Sequence, residues 1–145
     1  MKHDKFCNGY IIDEHETDET YVHIADNGKI WDKGTIDMLS NYDYYSIESN
    51  HDRTMQLLDK KRHEGLKRRV LGAYGHTNNY DAIELASKLV GTRTKSIIFN
   101  HLSEECNSPE LAKEVHENYI ATWGLKTEFK DIKIQYAKQN EVVKL

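Results

Sequence analysis

An α/β layer, a single mixed β-sheet with its helices on one face, is the fold the sequence predicts. Three observations predict it. Short β-branched and aromatic runs alternate with amphipathic helical stretches along the 145 residues. Their order is three strands, helices, strand, helix, strand, which suits a layered α/β architecture. No Pro-, Gly- or Ser-rich stretch, internal repeat or low-complexity tract interrupts them, so 1–145 reads as one domain.

The elements follow in order. Tyr10-Ile11-Ile12-Asp13 and Tyr21-Val22-His23-Ile24-Ala25 read as strands joined by a polar loop, and Asp26-Asn27-Gly28 is a turn signal closing the second. Tyr44 to Glu48 is a third strand. His51 to His63 reads as a helix with Met55, Leu57 and Leu58 apolar, and Leu66 to Leu71 as a short second one. Asn78 to Leu89 is a clearer helix. Asn78 caps it, Asp81 sits in its first turn, and Ala82, Leu85, Ala86 and Leu89 form an apolar stripe before Gly91. Ser96 to Asn100 reads as a buried strand. Ser108-Pro109-Glu110 opens the next helix, with Leu111, Val115 and Ile120 on its buried side and Gly124 at its end. Ile132 to Tyr136 alternates like a final strand.

Composition narrows the function classes. With 38% hydrophobic and 30% charged residues the chain is built to fold. A net charge of −4 gives no global attraction for a polyanion, so such binding needs a local positive site. Lys60-Lys61-Arg62-His63 with Lys67-Arg68-Arg69 is either that site or a solvated helix face. Cys7 and Cys106 form no CxxC pair and read as free thiols in a reducing compartment. No apolar run is long enough to span a bilayer, and no signal peptide is visible. The expectation is a cytoplasmic protein with no membrane partner, in the host cytoplasm if phage-encoded.

Four polar clusters follow strand ends or precede a helix, where α/β folds place their sites. They are Asp26, Glu48-Ser49-Asn50-His51-Asp52, Gly75-His76-Thr77-Asn78-Asn79, and His101-Leu102-Ser103-Glu104-Glu105. Imidazoles and carboxylates so placed can ligate Zn or Mn, or form an acid–base pair.

These strings carry a resemblance. Ile47-Glu48-Ser49-Asn50-His51-Asp52 resembles the ESNHD segment of YycJ/WalJ-type metallo-β-lactamase-fold nucleases. Gly75 to Asn79 resembles their GHLSN segment, Ile97 to Ala112 their LAHLSEENNTPELA segment, and Tyr21 to Gly28 their AYxTDTG strand and turn. His3-Asp4 with Gly9-Tyr10 resembles the stretch before that strand. The likeness extends more distantly to tRNase Z and to phage cyclic-nucleotide phosphodiesterases. It implies the C-terminal half of a metallo-β-lactamase αββα sandwich and a metal-dependent phosphodiester hydrolase acting on nucleic acid or a cyclic nucleotide. By the same resemblance, Asp26 bridges two metal ions, His101 is a ligand of the second, His76 protonates the leaving oxygen, and Glu48 orients His76. Asn50, His51, Asn78 and Ser103 are candidate substrate contacts.

The sequence also departs from the pattern. Asn27, Thr77 and Asn100 replace commoner residues, and no HxHxDH motif is present. Asp26 and His101 alone make a poor two-metal site, since catalytic sites want three or more protein ligands. A lone half would also leave one sheet face bare. The expected partner is a complementary N-terminal half, or a second copy of the chain. The alternative reading is a catalytically inactive binder that sequesters a nucleotide or a host protein.

Overall fold

The computed structural model describes residues 9–28, 31–138 and 142–144. Cys7 and the His3-Asp4 pair lie outside them. Five strands form one mixed sheet in the order β1-β2-β3-β4-β5. They are β1 Tyr10–Glu14, β2 Glu19–Ile24, β3 Tyr44–Glu48, β4 Ser96–Asn100 and β5 Lys133–Tyr136. β1 and β2 form an antiparallel hairpin, and every other neighbour pair is parallel. The helices are α1 Lys33–Leu39, α2 Arg53–Leu58, α3 Glu64–Leu71, α4 Asn79–Leu89 and α5 Pro109–Thr122.

Alternation along the strands decides which face is dry. Val22, Ile24, Tyr45, Ile47, Ile97 and Phe99 point to one side and pack with Leu39 of α1 and Ala82, Ile83, Leu85, Ala86 and Leu89 of α4. The opposite residues along the three central strands are mostly polar: His23, Ser46, Glu48, Ser96 and Asn100. A large apolar patch is therefore not what that face presents. Its exposed apolar side chains gather at the β1 edge, in Tyr10 and Ile12. At the far edge, the carbonyl of Lys144 accepts bonds from Lys133 Nζ and Gln135 Nε2.

Four expectations change. The stretch 51–63 is not one helix: Asp52 caps α2, which ends at Leu58, and His51 instead bridges to Asn78. A fresh cap at His63 then starts α3. Helix α1 has no strong periodic stripe in the sequence, but Asp32 caps it by accepting from the Thr35 amide. The buried side of α5 centres on Ala112 and His116 rather than on Leu111, Val115 and Ile120, which are only partly covered. Gly124 ends α5 as expected, with φ +69°.

His116 is fully buried, with its ring centroid 4.1 Å from Phe99 and 5.5 Å from Tyr136. Its Nε2 donates to the Asn79 carbonyl at 3.0 Å, and its Nδ1 accepts from the Tyr136 hydroxyl. Burial holds the imidazole neutral, with a pKa of about 3. The unfolded chain takes up this proton below about pH 6.5 and the folded chain does not, so the unfolded state binds more protons in between. Stability is expected to fall by a few kcal/mol, from this group alone, as pH drops from about 6.5 toward 3. His116→Phe should cost about 1–3 kcal/mol at pH 7, by orphaning the Asn79 carbonyl, and should flatten that slope. Urea unfolding at pH 7, 5 and 4 measures both; parallel pH profiles for the two proteins would refute the assignment.

Candidate active site

Parallel β2, β3 and β4 run side by side, so the residues that follow them emerge at one edge of the sheet. Asp26 comes from the end of β2, Glu48 is the last residue of β3, and His101 follows β4. His76 arrives from the loop before α4. That loop packs so closely on the end of α3 that a Cβ on Gly75 would lie 2.2 Å from the Val70 carbonyl oxygen, which reserves position 75 for glycine. The four side chains offer donor atoms that all lie within 4.8 Å of one another.

Glu48 is the hub. It is completely buried, and its Oε1 accepts from His76 Nδ1 and His101 Nδ1, each at 2.7 Å. Its Oε2 accepts from the backbone amides of Asn27 and Thr77, each at 3.2 Å. Burial pushes the carboxyl pKa up, but the hydrogen bonds from His101 and His76 outweigh it and hold the value at about 2. The bond to Glu48 in turn raises the His101 pKa. The two rings meet edge to face, with centroids 5.2 Å apart. Asp26 Oδ1 lies 3.5 Å from His76 Nδ1 and 3.4 Å from His101 Nδ1. Asp26 and His101 both have left-handed backbone, φ 51° and 55°, a cost that non-glycine residues carry mostly at functional positions.

Residues 49–52 lace the loops together. The amides of Ser49, Asn50 and Asp52 donate to the carbonyls of Asn100, Thr77 and Cys106, and Ser103 and Asn79 donate back to Asn50 and His51. The loops bearing His76 and His101 are thus both stitched to the strand that ends in Glu48.

The candidate substrate contacts have diverse surroundings. Asn50 Nδ2 is committed to the His101 carbonyl at 2.8 Å, although the residue also lines the cleft. Asn78 is the N-cap of α4. Ser103 accepts from Arg62 at the cleft wall. His51 is 1% exposed, neither ring nitrogen has a partner, and burial lowers its pKa to about 4. An open cleft of about 490 Å³ lies against the cluster, lined among others by Arg62, Val70, His76, His101, Ser103 and Glu105.

Sequence reasoning missed two features. One is the second partner of Glu48, His101. The other is Arg62, which reaches Gln56, Ser103 and Glu105 and so ties the α2–α3 connection to the loop bearing His101. Within the basic run, Arg62 and Lys67 are largely covered, Lys67 by bonding the Leu57 carbonyl, while Lys60, Lys61, Arg68 and Arg69 are exposed. A charge run read linearly cannot separate those roles.

No family model matches the sequence. The chain is 35% identical over 116 residues to Exodeoxyribonuclease WalJ of Streptococcus pneumoniae, covering 78% of this chain and 42% of that protein. It is 33% identical over 102 residues to Exodeoxyribonuclease YycJ of Bacillus anthracis, covering 68% and 37%. Among solved structures it resembles the metallo-β-lactamase fold protein YhfI from Bacillus subtilis, with TM-score 0.56 and 18% identity over 95% of this chain and 45% of that one. It also resembles unliganded yeast PDE1, with TM-score 0.55 and 12% identity over 90% and 38%. The chain spans less than half the length of each of these proteins. No helix among the described residues is long and apolar enough to cross a membrane.

Proposed function

We propose, for a chain related to part of the WalJ/YycJ-type metallo-β-lactamase-fold nucleases, that it is one half of a metal-dependent phosphodiester hydrolase acting on nucleic acid or a cyclic nucleotide. It is the C-terminal half, active when a complementary N-terminal half packs against it, and it works in the cytoplasm. The observation that carries this reading is the convergence of Asp26, Glu48, His76 and His101 at one sheet edge beside an open cleft.

Two imidazoles and two carboxylates are a donor set that suits Zn or Mn. They do not suffice for two ions, because Asp26 and His101 would then carry a dinuclear centre almost alone. The further donors belong to the complementary half. A divalent cation in such an enzyme supplies charge neutralisation at the phosphate and an activated nucleophile. This chain's residues do the rest. Glu48, ionised and buried, holds the His76 ring by Nδ1 and so aims its other nitrogen. That nitrogen delivers a proton to the departing oxygen, which would otherwise leave as a poor alkoxide. Asn50 and Ser103 line the cleft on the His101 side and contact the substrate.

The test is co-expression with the HxHxDH-bearing half of a WalJ relative, then assay with Mn or Zn against bis-p-nitrophenyl phosphate and end-labelled DNA. Hydrolysis that disappears in a His76→Ala variant is the expected result. A stable complex with no hydrolysis under any metal would overturn the reading and leave the inactive binder in its place.

A further inference from the structure

We propose that this chain by itself holds a single divalent transition ion through Asp26, Glu48, His76 and His101, with His76 serving as a ligand. The assignment goes beyond the hydrolase reading and does not depend on complementation.

A hydrogen-bonded network explains only part of the geometry. The contacts of 2.7 Å from Glu48 Oε1 to each imidazole are ordinary charge-assisted hydrogen bonds. The Asp26 contacts are different. At 3.5 and 3.4 Å from the two Nδ1 atoms, its Oδ1 is too distant for a good hydrogen bond to either. Those are the separations expected between ligands that share an ion. For metal–ligand bonds of about 2.1 Å, a tetrahedron has edges of about 3.4 Å. Asp26, His76 and His101 are therefore spaced as three corners of one coordination sphere. Glu48 closes the fourth by moving back a few tenths of an ångström from each ring.

The setting supports the assignment. Glu48 forms a buried, ionised floor, while Asp26 and His101 are 54% and 42% exposed, leaving a way in for the ion. The strained backbone at Asp26 and His101 fixes the approach of both side chains before any ion arrives. Borderline nitrogen and oxygen donors in equal number select Zn, Co or Mn over Ca or Mg.

The probes are Zn(II), titrated by calorimetry into the purified chain, and Co(II), followed by its visible absorption. The expected result is one ion per chain and a Co(II) spectrum of a low-coordinate site. His76→Ala should weaken binding at least tenfold, and His15→Ala, in the exposed β1–β2 turn, should leave it unchanged. If His76→Ala fails to fold, Glu48→Gln serves instead, with the same tenfold loss expected. No binding, two ions per chain, or affinity unchanged in the folded His76 or Glu48 variant would overturn the proposal. Because the readout is binding, its failure is separable from failure of the hydrolase reading, which is judged by complemented activity.

Discussion

Replacing Glu48 by glutamine is expected to lower phosphodiester hydrolysis by the complemented enzyme roughly 100- to 10,000-fold, the range spanned by losing a positioned proton donor. The reason lies in how the two carboxylate oxygens are used. Oε1 accepts from two imidazoles, and Oε2 accepts from two backbone amides. An amide has one acceptor oxygen and one NH2. Whichever way it turns, its NH2 faces donors. Turned toward the rings, it releases His76 and His101 together. Turned toward the backbone, it loosens the loops of Asn27 and Thr77. Either arrangement also leaves buried donors unsatisfied, at about 1–3 kcal/mol each. Steady-state rates for the two proteins, with ring-nitrogen NMR on the isolated chain, measure both effects. A variant within threefold of the parent, with its ring resonances unmoved, would remove Glu48 from the mechanism.

Truncating Phe99 to alanine should be the most damaging single change to the fold, costing about 3–5 kcal/mol. Phe99 is completely buried in β4, stacked on Tyr136 at 5.7 Å and against His116 at 4.1 Å. Its removal opens a cavity between β4, β5 and α5 that rigid strands cannot close. Urea unfolding should show a lower midpoint with an unchanged slope. Phe99 is also two residues before His101, so the loss should reach the site. A cost below about 1 kcal/mol would mean that the core packs differently around β4.

Much of the architecture was legible in the chain because its period and punctuation agree. The Asn78 cap and the 82–85–86–89 stripe predict α4, and Ser108-Pro109 predicts α5. The two misread regions are those where punctuation outweighs period. Met55, Leu57 and Leu58 looked like a helical stripe, yet Leu57 and Leu58 are exposed and the chain breaks after them. His116 was passed over because a polar letter says nothing about burial. The four central site residues came from a resemblance to family segments, since no spacing in the sequence links Asp26 to His101. Only the parallel pairing of β2, β3 and β4 brings them together. The clasp of Arg62 on residues 103 and 105 was illegible because it joins positions 41 and 43 residues apart.

Asn27 and Thr77, two of the departures from the family's pattern, turn out to be neighbours. Thr77 Oγ1 donates to the Asn27 carbonyl at 2.7 Å, and Asn27 Nδ2 donates to Thr77 Oγ1 at 3.1 Å. Both residues are buried, and each backbone amide also donates to Glu48. In hereditary terms the two positions behave as a single locus. A lineage that drops one partner strands the other's polar group in the interior, so the tolerated route from the common pattern to this one passes through both sites together.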